Sequence, residues 1–126
     1  MDGRTRGPRI DCAVDAAMAV IGGRWKATIL CKLHMKGPLR FNQIMRELEA
    51  ISPRILTKQL REMEDDGLVL RTVRAEAPAS VEYSLSERGR TLIPALRILA
   101  AWGNENMFRC NVHIDEGAPA PAATPH

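Results

Sequence analysis

Hydrophobic residues recur along this chain with two different periods. From Asp11 to Asp66 the spacing is helical. Val14, Ala17, Met18 and Ile21 predict a first helix over 11–21, with Asp11 able to cap its start. Gly22-Gly23 breaks the chain. A second helix begins near Arg24, with Trp25, Ile29, Leu30 and Leu33 on one face, and Lys36-Gly37-Pro38 ends it. Leu39-Arg40 is too short to assign beyond an extended link. Phe41, Ile44, Met45 and Leu48 mark a third helix of about two turns. The fourth has the clearest start: Ser52 suits the cap, Pro53 the first helical position, and Gly67 a C-terminal stop. Only Glu49-Ala50-Ile51 separates the third helix from the fourth, which predicts a helix-turn-helix.

After Gly67 the period falls to two. Leu68 to Arg74 is β-prone, and Val81, Tyr83 and Leu85 alternate with polar residues. Residues 75–80, with Pro78 among them, join the two runs into a hairpin with a longish tip, the usual shape of a wing. A last helix follows from about Ser86 to Asn106. Ser86 can cap it, although Gly89 stands where a capping-box acid would be, and Pro94 should kink it. Ile93, Leu96, Leu99, Ala100, Trp102 and Gly103 wrap around more than one stripe. Such a helix needs two surfaces to bury against: its own domain, and a second copy of the chain. The fold class is mainly α with a small β-hairpin (α+β), a winged helix-turn-helix over 11–108. Residues 1–10 read as a flexible basic arm and 109–126 as a flexible Ala/Pro-rich tail.

Composition narrows the setting. A chain of 126 residues, 45% apolar and 26% charged, fits one globular domain. Its net charge of +3 is too small to identify a partner, so the placement of charge has to do so. Cys12, Cys31 and Cys110 are odd in number and unpaired in spacing, which favours a reducing compartment. No apolar run approaches the ~20 residues of a membrane span, and the polar N-terminus lacks a secretory apolar core. The expectation is a cytoplasmic protein without a membrane partner.

The decisive charges lie on the fourth helix. At about 100° per residue, Arg54, Thr57, Lys58 and Arg61 share an arc of about 100°, with Leu56, Leu60 and Met63 opposite. Arg can grip a guanine edge with two hydrogen bonds, and Thr can reach a thymine methyl or a phosphate. Lys58 and the helix start at Ser52 and Pro53 suit phosphate oxygens. Glu62, Glu64, Asp65 and Asp66 crowd the C-terminal end, which must then point away from a duplex. Any surface helix shows charge, so this pattern gains its meaning from the short helix before it and the hairpin after it. Arg71 and Arg74, on the outgoing strand, would lie on phosphates or enter a minor groove, or simply guard an edge strand. Arg4, Arg6 and Arg9 read more simply as plain polar residues than as a minor-groove arm.

Enzymatic chemistry is not legible. Cys31 and His34 are three apart, but two ligands do not make a zinc site. Cys31 reads as core and His34 as surface. Met18, Met35, Met45 and Met63 read as packing. No triad, phosphate loop or carboxylate pair stands out, so neither catalytic residues, nor a metal, nor a cofactor is expected. The other reading is a winged helix whose basic face meets an acidic protein instead of DNA.

Several motifs stand in order along the chain: Cys12 followed by Val20-Ile21-Gly22-Gly23-Arg24-Trp25-Lys26; Gly37-Pro38-Leu39-Arg40-Phe41-Asn42; the run from Ile51 to Leu68; Val81-Glu82-Tyr83-Ser84-Leu85-Ser86; and Ala101-Trp102-Gly103. Together they resemble the HxlR-type regulators. The resemblance covers about 11–106. It implies a winged helix-turn-helix repressor or activator, distantly like MarR-type proteins. It also implies a homodimer built from the first and last helices, with the Ser52 helix in the major groove of a pseudo-palindromic duplex. Arg40 and Asn42, in the second motif, join the expected DNA-binding set. Some members sense electrophiles or oxidants through the cysteine before the first helix. Cys12 matches that position, the alternative being an unreactive thiol. A small-molecule or electrophile effector is thereby admitted.

Overall fold

The computed structural model describes residues 12–75 and 78–107, so the expected arm, the expected tail, Asp11 and Cys110 lie outside the described residues. The elements run α1 (Ala13–Ile21), α2 (Lys26–Lys36), β1 (Leu39–Arg40), α3 (Phe41–Glu47), α4 (Pro53–Asp65), β2 (Val69–Arg74), β3 (Ser80–Leu85) and α5 (Glu87–Asn106). The helical and β-type halves fall where the two periods divide the sequence.

Helix α2 is the hub. It packs against α3, α4, α5 and β3. Its Ile29, Leu30 and Leu33 are buried with Ile44 of α3, Leu56, Leu60 and Met63 of α4, and Ile93 and Leu96 of α5. Leu68, Val69 and Leu85 close this core from the base of the hairpin. Each of these elements can bury only one face alone, and α2 supplies the shared one.

The sheet differs from the expected hairpin. Leu39 and Arg40 form a third strand, and the order is β1-β3-β2, all antiparallel. Leu39 pairs with Tyr83 and Arg40 with Glu82. Two residues carry no readable period, so only the tertiary pairing defines this strand.

Three expectations need correction. The stripe on α1 is not buried by this chain: Ile21 is covered, but Val14 is 67% and Met18 49% exposed. Met18 is therefore not packing within the chain. Cys12, not Asp11, occupies the cap position of α1, and its side chain makes no capping bond. Helix α2 starts at Lys26, with Trp25 at the cap and the Arg24 guanidinium 4.4 Å above the Trp25 ring. Helix α5 continues through Pro94 to Asn106.

The joint between α4, the wing and α5 is tightly bonded. Gly67 takes a φ of 77° and ends α4, its N–H donating to the Glu64 carbonyl while the Leu68 N–H donates to that of Met63. This paired closure needs a left-handed residue, which glycine supplies without a Cβ clash. Ser86 Oγ donates to the Gly67 carbonyl at 2.6 Å and accepts the Gly89 N–H at 2.9 Å. The Ser86 N–H donates to the Leu68 carbonyl at 3.0 Å. Gly89 sits so close to the residue before β2 that a Cβ would overlap the Leu68 carbonyl oxygen. Ser86 thus caps α5 through a glycine, without the missing acid.

Candidate nucleic-acid interface

Helix α4 is set by its first turn. Ser52 Oγ accepts the Ile55 N–H at 3.1 Å, and Pro53 follows at the first helical position. The preceding turn is tight enough that Ala50 takes a φ of 70°, while Ile51 is buried beneath it. A left-handed alanine is uncommon, and nothing in its residue type announces it.

Leu56, Leu60 and Met63 are at most 2% exposed, whereas Ser52, Pro53, Arg54, Thr57, Lys58 and Arg61 are all exposed. The arc expected from the sequence therefore faces outward and its apolar side inward. Among the described residues, Arg54, Arg61 and Arg71 form no ion pair. Lys58 Nζ lies 4.0 Å from Glu62 Oε2, a loose exposed pair.

Glu62 has a stronger attachment. Its Oε1 lies 2.7 Å from Nζ of Lys26, whose side chain is only 11% exposed. The pair ties the C-terminal part of α4 to the start of α2. Sequence reasoning missed it, although a signal existed. Lys26 stands three and four residues before Ile29 and Leu30, on the apolar stripe, where a lysine needs an acid partner.

The other predicted residues fall into two groups. Arg40 and Asn42 are exposed at the start of α3, where Gln43 Oε1 accepts the Arg40 N–H at 2.8 Å. Arg71 is exposed on β2. Arg74 is exposed but engaged: its Nε and Nη2 donate to Glu82 Oε1 at 3.3 and 3.2 Å. A phosphate would have to compete with that carboxylate.

The thiols differ sharply. Cys12 is exposed at the start of α1. Cys31 is half-buried against the core, and burial pushes its pKa up to about 11, with Lys32 opposing the shift. No group of three or more His, Cys, Asp or Glu side chains fit for a metal occurs among the described residues. Within them, no helix is long and apolar enough to cross a membrane.

With this geometry in place, sequence comparison matches residues 20–110 to the model of the HxlR-like helix-turn-helix family. The chain belongs to that family. It is a DNA-binding transcriptional regulator of winged helix-turn-helix architecture. An HTH-type transcriptional regulator of Methanothermobacter thermautotrophicus is 47% identical over 92 residues, 73% of this chain and 70% of that one. The regulator YtcD of Bacillus subtilis is 43% identical over 101 residues, 80% of this chain and 79% of its own. The redox regulator HypR in its reduced form superposes with a TM-score of 0.69 at 45% identity, covering 75% of this chain and 93% of HypR. These relatives favour the DNA-binding reading over the protein-binding one.

Proposed function

We propose that this HxlR-type regulator reads DNA with α4 in the major groove. The observation that carries this is the capped, one-sided α4: Arg54, Thr57, Lys58 and Arg61 outward, leucines beneath. Arg54 and Arg61 are assigned to base edges, Lys58 and the Ser52-Pro53 start to phosphates. Arg40 at the cap of α3 and Asn42 in its first turn, with Arg71 and Arg74 of the wing, form the flanking contacts. The regulator has no catalytic activity and works in the cytoplasm.

It acts as a homodimer on a pseudo-palindromic site. Val14 and Met18 of α1 and Ile98, Leu99 and Trp102 of α5 are 49–70% exposed. Apolar stripes at helical spacing on two terminal helices suit a second copy. Two α4 helices would then enter major grooves about 34 Å apart. The signal it answers is an oxidant, electrophile or small molecule. This is supported by the exposed Cys12 at the cap of α1 and by the likeness to HypR, itself a redox regulator.

Fluorescence anisotropy against duplexes selected from a random pool tests the reading. Sequence-selective binding that weakens steeply with salt is expected. Equal affinity for selected and scrambled duplexes would overturn it. Treatment with an oxidant should change the affinity of the native chain and leave Cys12→Ser unchanged.

A further inference from the structure

Most of the large exposed hydrophobic side chains lie on α1, on α5 and its end, and on β2. Ile55 is the exception. It is 38% exposed on α4, lies outside the buried core cluster, and sits in the first turn. Its own N–H is the group held by Ser52 Oγ, so the residue is fixed at the capped end of the helix.

On an ideal helix Ile55 lies about 60° around from Lys58 and about 100° from Arg54. It borders the cationic arc at the end whose N–H groups and dipole favour phosphate. The floor of the major groove offers one apolar group, the 5-methyl of thymine. An isoleucine carried into that groove has one partner against which dehydration is favourable.

We propose that Ile55 is a specificity-determining residue that reads a thymine 5-methyl group in each half-site. The proposal rests on α4 being the reading helix. It assigns a pyrimidine preference to a position that neither Arg54 nor Arg61 would specify. Arginines select guanine edges, while Ile55 selects thymine over cytosine and over uracil. The side chain is not a member of the buried core, so shortening it opens no cavity there.

The test uses the full chain and a duplex selected by it from a random pool. Each thymine in turn is replaced by deoxyuridine, which removes the methyl and nothing else. The native chain should lose about fourfold in affinity at one position per half-site, the effect of one buried methyl-sized group. Five-bromodeoxyuridine, with bromine in place of the methyl, should restore binding there. Ile55→Ala should bind the thymine and deoxyuridine duplexes alike, while Ile55→Val keeps most of the discrimination. Arg54→Ala should still discriminate, at lower overall affinity. Unchanged thermal unfolding of Ile55→Ala separates reading from folding. If the deoxyuridine loss persists undiminished in Ile55→Ala, or no thymine shows a loss, the proposal is overturned while the DNA-reading helix stands. If no sequence is enriched from the pool, both fail.

Discussion

Lys26 of α2 and Glu62 of α4 meet at 2.7 Å, with the ammonium side almost covered and the carboxylate 41% exposed. The two ends of this pair are not equivalent. Remove the carboxylate and an ammonium is left in a largely apolar setting. Remove the ammonium and the carboxylate still has water, with Lys58 beside it. Glu62→Ala should cost about 2–3 kcal/mol, and Lys26→Met at most about 1 kcal/mol, because methionine fills the same space. Urea unfolding of the two variants checks the order. Equal losses would mean that the pair acts as a simple exposed bridge.

The joint at Ser86 gives a sharper expectation. Gly89→Ala places a methyl against the Leu68 carbonyl, backbone against backbone, where no flexible side chain can give way. A loss of about 2–3 kcal/mol is expected. At Gly67 the neighbour is the end of the Arg88 side chain, which can move, so the φ of 77° dominates. Gly67→Ala should cost about 1–2 kcal/mol. Thermal melts of both variants give the comparison.

Cys31 should make the fold sensitive to alkali. The ordinary thiol pKa of 9.0 is raised to about 11 in the folded chain, so folding favours the protonated form. A neutral thiol is compatible with the fold at all pH values below 9. Stability is then lost as pH rises from 9 through 11, where the unfolded chain ionises first. The native chain should fall by about 1–3 kcal/mol relative to Cys31→Ala across that window. The same burial predicts that iodoacetamide labels Cys12 well before Cys31 at neutral pH, read by mass spectrometry.

The fourth helix was legible in the sequence because independent signals coincide there. Ser52-Pro53 sets its start, Gly67 its end, and a one-sided charge pattern its faces, and the structure agrees with all three. What the sequence hid has two physical causes. The β1 strand and the Lys26–Glu62 pair are each defined by something distant in the chain, and the left-handed Ala50 by a tight turn that its residue type does not announce. A two-residue strand exists only because β3 lies beside it. The α1 stripe misled in the opposite way. Its period is helical, but this chain covers only its last turn, at Ile21.

On DNA, Arg54→Ala or Arg61→Ala should cost about 1–3 kcal/mol on a selected duplex if the side chain reads a base. Lys58→Ala should weaken selected and scrambled duplexes alike and lower the salt slope by about 1. Arg74→Ala should have less effect than Arg71→Ala, since Glu82 already holds Arg74. Anisotropy titrations at several salt concentrations distinguish these outcomes.

Trp102, 57% exposed on α5, is the largest apolar side chain on that face. Trp102→Glu should shift the protein toward monomer in sedimentation velocity and weaken binding to two-half-site duplexes. Binding to a single half-site should change little.

Helix α1 has nine residues and one buried side chain. A helix that short does not persist on its own in water, where even good helix formers need about 12–15 residues. In the proposed homodimer a second copy would cover Val14 and Met18, so dilution should loosen α1 while α2–α5 stay intact. Amide exchange over 13–20 would speed up at nanomolar protein. Cys12 would ride on a segment whose very shape reports how many copies are present.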